Sequence, residues 1–493
     1  MNFKSSKIRT ENNKKVFGKT KGISISISLL ISLSIIIFLS IGIVKAVKNI
    51  NFSGVLSLAG ADLKTDGYGH SNFLILGIGG GAHEGADLTD SIIVASLDPE
   101  TKNLSMLSIP RDIYVKDSTI GNSRINEVYL RAKNYFGSST KGVKYMKEKT
   151  EEIVGIPIHY WVKIDFKGFK EMIDALGGID IYVKEDLNDP YYPKDGTFEY
   201  APLLIQKGNH KMDGELALKY ARSRKTTSDF DRARRQQEII YATKQKALST
   251  NTLADKEKIE NILDILKSNI ETNITIKEVL TLGSMASEIT EDKILHRLIH
   301  DDPALCGGLL YAPERESYDG MFVFIAAGGV EFLHKYADLT FNHPLVAKEN
   351  PTIELLNGTS RGGAAGETKQ ILRRFCFDVV KFGNARNKNI EETTYYYRQK
   401  TDTEGKPIES RPKALDFLQK LIPGNESTVF PIEYSTSPAD LIIEIGADYS
   451  NSKDYLEDAF YSLPKIETTT TTEETPDSTE ETQSESKPQS EEN

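Results

Sequence analysis

The sequence predicts an α/β protein held at a membrane, with an anchor, a mixed strand-and-helix domain, a helical extension and a second, small α/β domain. Three observations predict it. Residues 22–44, GISISISLLISLSIIIFLSIGIV, hold no charge. Between residues 71 and 250, short runs rich in β-branched residues alternate with stretches of helical spacing. The same alternation resumes over residues 349–450.

At about 1.5 Å per residue, the uncharged run is long enough to cross a hydrocarbon core of about 30 Å. The tail before it, residues 1–21, carries Lys4, Lys7, Arg9, Lys14, Lys15, Lys19 and Lys21 against Glu11 alone. That bias sets the N-terminus in the cytoplasm and the rest of the chain outside. A cleavable signal peptide is the alternative, with VKA at 44–46 as its small-residue site, but the apolar run is longer than such peptides use. An uncleaved single-pass anchor is therefore expected, and cytosolic nucleic acid and nucleotides drop out as partners. Residues 45–70 read as a stalk.

In the domain at 71–250, NFLILGI is a short apolar strand followed by the Gly-rich loop GGGAHEGADLTD. SIIVASLD and NLSMLSIP form two strands, and the intervening PETK suits a hairpin. IHYWVKID is a further strand. FKGFKEMIDAL places Phe166, Phe169, Ile173 and Leu176 on one helical face and stops at Gly177–Gly178. IDIYV is again a strand, Asp213 caps GELALKYA, and Asp231 would cap a helix from Arg232 to about Ser249. The extension, 251–348, reads as mostly helical through KIENILDILKSNI and TIKEVLTLGSMASEI. Beyond it TIELLNGT, GETKQILRRF, FDVVKFG, TTYYYRQ, KALDFLQKLI and DLIIEIGAD alternate strand with helix. Its loop NGTSRGGAAG reads as a tight turn with close packing rather than an anion site. From 466 to 493 the chain carries nine acids against Lys487 and no aromatics, the composition of a disordered tail. That tail supplies most of the formal net charge of −10, so the acidity says little about the folded parts. Cys306 and Cys376 have no metal-like spacing, and two buried free thiols are expected rather than a disulfide.

The chemistry-bearing stretch is YARSRKTTSDFDRARRQQEII. In an extended segment Arg222 and Arg224 leave on one face. On the following helix Arg232, Arg235 and Gln236 share a face, with Arg234 turned toward solvent. Guanidiniums converging at the first turn of a helix suit phosphate, because their forks match phosphate oxygens. A solvated basic face pairing with Asp229 and Asp231 is the competing reading. Elsewhere Asp90 opens a strand and Arg111 follows Pro110 at the end of another. A strand-end carboxylate of this kind could hold Mg²⁺ together with substrate phosphate oxygens, or simply form a turn.

These segments resemble the LytR–CpsA–Psr (LCP) family: TDSIIVASLDPETKNLSMLSIPRDIYV, SRINEVY, HYWVKIDFKGFKEMIDALGGIDIYV, KGNHKMDGELALKYARSR and SDFDRARRQQ occur in order across 71–250. Residues 349–450 resemble the smaller domain found at the C-terminus of such proteins. The resemblance implies an α/β/α catalytic domain around a central mixed sheet. It also implies a phosphotransferase that moves an anionic glycopolymer, such as teichoic acid, from a polyprenyl-pyrophosphate carrier to peptidoglycan. It places pyrophosphate on Arg111, Arg124, Arg222, Arg224, Arg232 and Gln236, catalysis on Asp90 and Arg111, and Mg²⁺ on Asp90. Where the family commonly has a second aspartate, this chain has Gly79, so Asp87, Glu84, His83 or the substrate would have to complete the metal site. The family's apolar tunnel for the lipid would draw on Phe166, Phe169, Ile173, Leu176, Leu203, Leu204 and Ile205, residues equally suited to ordinary core. A pyrophosphatase of lipid-linked intermediates and a non-catalytic sensor of wall polymer are the two competing functions.

Overall fold

The computed structural model describes residues 62–455 apart from 82–84, 193–199, 224–234, 236–237, 240–241, 244, 247–260, 262–263, 266–267, 286–287, 399–410 and 453–454. The expected anchor at 22–44 and both terminal tails lie outside the described residues. Among the described residues no helix is long and apolar enough to cross a membrane.

Strand β1 (Ser71–Ile78) is buried along its whole length. It runs antiparallel to β2 (Thr89–Leu97), which returns through the expected hairpin into antiparallel β3 (Leu104–Ile109). In that hairpin the Asp98 carboxylate accepts from the backbone N–H groups of Glu100 and Thr101, and Lys102 takes a positive φ of 61°. Helices α1 (Ile125–Phe136) and α2 (Ser139–Val154) follow, each closed by a left-handed glycine, Gly137 and Gly155. Next come β4 (Tyr160–Asp165), parallel to β1, then α3 (Phe166–Ala175) and α4 (Gly214–Arg222), capped by Asp165 and Asp213. Between these two helices the chain forms strands at Ile179–Val183 and Gly208–Met212, which pair with each other, and a short hairpin at Leu187–Asp189 and Leu203–Ile205.

The region expected to be a helical extension supplies both edges of this sheet. β5 (Ile270–Thr272) pairs antiparallel with β4, α5 (Ile276–Met285) follows, and β6 (Ile294–Leu298) pairs parallel with β3. The resulting order is β5-β4-β1-β2-β3-β6. The reading as helix missed β5 and β6 because neither carries its own alternation strongly; each is decided by an available sheet edge. Residues 62–70, assigned to a stalk, are likewise joined to the sheet: the Lys64 N–H donates to the Tyr160 hydroxyl at 2.8 Å and the Ser71 hydroxyl to the Lys64 carbonyl at 3.0 Å.

The alternation of β1 divides its side chains between two cores. Leu74, Leu76 and Ile78 pack on the side that includes Val128 and Tyr129 of α1, while Phe73 and Ile75 pack with Ile274, Leu282 and Ile289. The sheet is thus covered on both faces, which is why β1 reads as a continuous apolar run.

The second unit is a five-stranded sheet. β7 (Thr352–Asn357) leads through the Gly-rich loop into α7 (Ala364–Arg374) and then parallel β8 (Asp378–Asn384). β9 (Thr394–Tyr397), α8 (Ala414–Leu421), β10 (Asn425–Ser427) and β11 (Leu441–Ile445) complete the order β8-β7-β11-β9-β10. Helix α6 (Val330–Asn342) connects the units: its Leu333, Tyr336 and Ala337 lie in one continuous core with Val128 of the first unit and Phe375 and Phe417 of the second. The Gly-rich loop does pack tightly, since a Cβ at Gly358 would meet Ile390 at 2.5 Å. Arg361 in that loop lies 4.0 Å from the Tyr455 ring and 3.7 Å from Glu367, so its charge is used internally.

Cys306 and Cys376 are joined in a disulfide, with Cα atoms 4.5 Å apart, which corrects the expectation of free thiols. The loop after β6 folds onto the end of α7, where Gly307 N–H donates to the Arg374 carbonyl at 2.8 Å and Arg374 Nε to the Pro303 carbonyl at 3.2 Å. Docking between units brings the sulfurs together, and spacing along the chain carries no trace of it.

Two polar groups inside the first unit give stability predictions. Lys163 on β4 is only 6% exposed, and its ammonium donates to the Tyr129 hydroxyl at 2.5 Å and Ser139 Oγ at 3.0 Å, and pairs with Glu271 at 2.7 Å. Lys163→Ala removes the ammonium from both the Tyr129 hydroxyl and Glu271 and leaves Ser139 as the remaining partner of each, and is expected to cost about 2 kcal/mol, read by denaturant unfolding. His296 on β6 has a buried Nδ1 with no hydrogen-bond partner, and burial pushes its pKa down to about 4. Below its ordinary value the unfolded chain takes up a proton that the folded chain refuses, so stability falls as pH drops from about 6.5 to about 4, by up to about 3 kcal/mol. His296→Gln should flatten that part of a melting-temperature profile; equal slopes for both proteins would refute the assignment.

Candidate active site

The first sheet presents one edge at which β1, β3 and β4 end and β2 begins. Three of the expected site residues sit at or beside this edge through separate local causes. Asp90 is placed by a bulge: Ser91 pairs with Gly77 and Thr89 with Ile78, so Asp90 is the extra residue on β2. A bulge turns a side chain out of the strand's alternation, and the Asp90 side chain is 45% exposed. Arg111 is placed by the turn that Pro110 begins after β3. Its carbonyl accepts from the Asn126 N–H at 3.2 Å, while the Ile125 N–H donates to the Ile113 carbonyl at 2.8 Å. The first amides of α1 are thus spent on fixing this turn. Thr89 Oγ1 donates to the Asn126 carbonyl at 3.1 Å, tying the start of β2 to the same helix.

Arg124 stands immediately before α1 and completes a chain of alternating charges. Arg111 Nη1 donates to Asp90 at 3.0 Å, and Arg111 Nε and Arg124 Nη1 lie 3.4 and 3.3 Å from the two oxygens of Asp112. Arg124 Nε then donates to Glu127 at 2.8 Å, and Arg131 pairs with the other oxygen of Glu127 at 2.7 Å. Burial works against the charge on Arg111, but Asp90 and Asp112 outweigh it and raise its pKa above the ordinary arginine value. Burial likewise opposes the Glu127 carboxylate, and hydrogen bonds from Arg131 and Arg124 overcome it, holding its pKa below the usual range. Both arginines that could meet an anion are therefore oriented in advance, with a third to two-fifths of each side chain open to solvent.

Arg222 reaches the same edge from α4. Its guanidinium lies 4.8 Å from the ring of Phe166, the residue that opens α3 directly after β4, and 5.6 Å from the ring of Tyr192. Stacking of this kind fixes the plane of the fork. The ends of β3 and β4 are three strand spacings apart, about 14 Å, so Arg111 and Arg222 stand on opposite sides of the strands that separate them.

Arg224, Arg232 and Gln236 lie outside the described residues, as do Arg234, His83 and Glu84. Arg235, expected to share their face, does something else. It is 3% exposed and donates through Nε to the Tyr220 carbonyl at 3.0 Å and through Nη2 to the Ser223 carbonyl at 2.7 Å. It is a structural clamp on the end of α4. The apolar residues considered for a lipid tunnel pack as one cluster of Phe169, Ile173, Leu176, Leu203 and Ile205, with Phe166 against it. Leu204 departs from them, 63% exposed on the outer face of its strand.

Among the described residues no group of three or more His, Cys, Asp or Glu side chains is arranged to hold a metal. Asp87 is paired with Lys133 at 2.6 Å, and Asp165 caps α3 through Gly168 N–H at 2.7 Å. Gly80, beside Gly79, takes a φ of 70° and packs so closely that a Cβ there would meet Asp165 at 2.8 Å. Asp90 is also paired, with Arg111, but is 45% exposed, so for Mg²⁺ the described part of this edge offers it as a single carboxylate to an ion that draws its remaining ligands from water and phosphate oxygens.

The residues that sequence reasoning missed are Asp112 and Glu127, which hold the arginines together with Asp90. The signal was present for two of the pairs, since Arg124, Glu127 and Arg131 stand at i, i+3 and i+7 along one helical face. Asp112 could be recognised only once Arg111 and Arg124 were brought to its two sides.

Residues 45–322 match the model of the LytR_cpsA_psr family, and residues 350–449 match a domain described as LytR cell envelope-related transcriptional attenuator. The chain is 35% identical over 235 residues to the polyisoprenyl-teichoic acid–peptidoglycan teichoic acid transferase TagV of Bacillus subtilis, a match covering 47% of this chain and 54% of that protein. It is 28% identical over 252 residues to the transferase of the same description, TagU, of Bacillus licheniformis, covering 50% of this chain and 75% of that one. The chain thus spans little more than half the length of the first of these relatives. The crystal structure of B. subtilis TagV is similar at 30% identity with a TM-score of 0.41, covering 56% of this chain and 99% of that one.

Proposed function

This chain belongs to the LytR_cpsA_psr family, and from that premise we propose that it is an extracytoplasmic phosphotransferase that moves an anionic glycopolymer from a polyprenyl-diphosphate carrier to a hydroxyl of peptidoglycan. The observation that carries the reading is the paired lattice at the sheet edge, in which Arg111 and Arg124 share Asp112 beside the bulged Asp90. The names of the relatives, teichoic acid transferases acting on peptidoglycan, support the same class.

The acceptor hydroxyl attacks the phosphorus that carries the glycopolymer. A new P–O bond forms, the bond to the bridging oxygen breaks, and polyprenyl phosphate leaves with the charge. Arg111 and Arg124 hold the diphosphate from one side and Arg222 from the other, with Arg224, Arg232 and Gln236 assigned to the same task. Because Asp90, Asp112 and Glu127 orient Arg111 and Arg124 beforehand, these two guanidiniums need little rearrangement as charge builds on the leaving group, which is the main catalytic resource in phosphoryl transfer. Asp90 orients Arg111 and is the candidate acceptor for the hydroxyl proton. Mg²⁺, held by Asp90 and phosphate oxygens, would supply further neutralisation of the diphosphate. The uncharged run at 22–44 supports a single-pass anchor with the N-terminus inside. The disulfide supports an oxidising, extracytoplasmic location for both folded units.

The test combines the full chain in detergent with a lipid-linked glycopolymer, peptidoglycan fragments and Mg²⁺, and follows polyprenyl phosphate release and sugar attachment. Release with attachment, suppressed by chelation, is the expected result. Release without attachment would make the protein a pyrophosphatase, and tight binding with neither product would make it a polymer sensor.

A further inference from the structure

The segment between Tyr311 and Ala326 runs directly beside the arginine lattice and has no part in the chemistry above. Its Phe324 N–H donates to the Asp112 carbonyl at 2.8 Å, and the Tyr114 N–H donates to the Phe324 carbonyl at 2.9 Å. Ile113 and Phe324 form a parallel bridge, and Tyr114 stands opposite Arg124 in a two-residue pairing. The segment is thus fixed to the residues that follow Arg111, including the aspartate that Arg111 and Arg124 share.

Along this strap the side chains form an aromatic ledge. Phe322 is 41% exposed and meets Phe324 edge-on with ring centres 5.2 Å apart. Tyr318 meets Tyr114 edge-on at 4.8 Å, and the Arg315 guanidinium lies 5.6 Å from the Phe322 ring. The turn that carries them is closed by its own backbone: Gly320 N–H donates to the Arg315 carbonyl and Met321 N–H to the Tyr318 carbonyl, both at 2.9 Å. Asp319 and Gly320 take positive φ values of 54° and 75° to make it.

We propose that this ledge is the subsite for the acceptor glycan, binding an uncharged pyranose unit with its apolar C–H face on Phe322 and its polar rim toward Arg315. The inference rests on the transfer reading and says where the second substrate lies. A rigid, exposed ring has an apolar face and loses little conformational freedom on contact, which suits the C–H face of a sugar. Charge decides which substrate it serves. Glu314, Glu316 and Asp319 are all exposed in the same short segment against the single Arg315. Three carboxylates there repel a polyanionic donor and leave a neutral glycan unopposed. The ledge also joins the diphosphate site through Asp112 and Tyr114, so a sugar resting on it brings its hydroxyl toward the phosphorus held by Arg111 and Arg124.

The experiment measures binding without requiring turnover. The full chain in detergent is titrated by calorimetry with a peptide-free N-acetylhexosamine tetramer, and separately with polyprenyl diphosphate carrying no sugar. Phe322→Ala, with Phe322→Leu as a variant that keeps apolar bulk but loses the ring face, should weaken the tetramer about tenfold. Neither variant should change diphosphate affinity or melting temperature. Arg111→Ala should do the reverse, weakening diphosphate and sparing the tetramer. Tetramer affinity unchanged in both Phe322 variants, equal losses for both ligands, or no binding of the tetramer to the unmodified chain would each overturn the proposal. Glycan binding that depends on Phe322 in a protein that attaches no sugar would overturn the transfer reading alone.

Discussion

Arg111→Ala is expected to lower the rate of glycopolymer transfer by about 10²–10³-fold, with folding intact. The size follows from two effects that act together. Removing one preorganised donor from a developing anionic charge costs about this much in comparable sites. In addition Arg111 is the partner of both Asp90, at 3.0 Å, and Asp112, at 3.4 Å. Without it, two carboxylates face the incoming diphosphate with only Arg124 to offset Asp112. The losses in Arg111→Ala and Asp112→Asn should therefore be non-additive: the double variant, having shed one of the repelling charges, should transfer faster than Arg111→Ala alone. Arg111→Lys, which keeps the charge but not the fork, should recover only part of the rate. Steady-state transfer by the unmodified protein and the four variants, with melting temperatures as a folding control, checks this. A double variant slower than Arg111→Ala would show that Asp112 does more than hold the arginines.

Cys306→Ser is expected to carry the largest stability cost of any single change away from the active site. The bridge closes a loop with a sequence separation of 70 and joins the two units. The chain-entropy estimate for a loop of that length is about 4 kcal/mol, lowering the melting temperature by about 10 °C. Contact between the units does not depend on the bridge alone, because α6 places Tyr336 in a core shared with Phe375 and Phe417. The variant should consequently fold, and should keep its diphosphate affinity at low temperature. Reductant should lower the melting temperature of the unmodified protein to that of the variant and leave the variant where it is. Coincident melting curves without reductant would show that packing alone holds the units together.

Much of both folds was legible from local pattern. β1 to β3 and the hairpin between β2 and β3 follow from β-branched runs separated by turn residues. The cap at Asp213 was legible from its residue type, whereas helices α1 and α2 and the cap at Asp165 were found only in the structure. Among the described residues of the second unit, β7, α7, β8, β9, α8 and β11 coincide with the runs read from the sequence, whereas the three-residue β10 and the short helix Ala447–Ser450 do not. The legible features depend on interactions within a few residues of one another, so a sequence states them directly.

The candidate site was legible in composition but not in arrangement. Asp90, Arg111, Arg124 and Arg222 could be named from their motifs, and the structure links Asp90, Arg111 and Arg124 in one charge network through Asp112 and sets Arg222 at the far side of the same edge. What each guanidinium does was decided elsewhere. Arg235 belongs by spacing with the arginines expected to meet an anion, yet it clamps the Tyr220 and Ser223 carbonyls at the end of α4. Asp112, in sequence only the residue after Arg111, became the hub of the lattice once α1 delivered Arg124 to its other oxygen. The sheet edges β5 and β6, the bridge between Cys306 and Cys376, and the ledge beside Asp112 belong to the same class. By itself the sequence determined most of the central strands and the helices that follow them, where an uncharged run of 23 residues stands and which side chains carry charge, because periodicity and local capping are short-range. Only the tertiary structure decided the pairing of charges, the sheet edges and the disulfide, because those depend on distances between segments far apart in the chain, which no local pattern records.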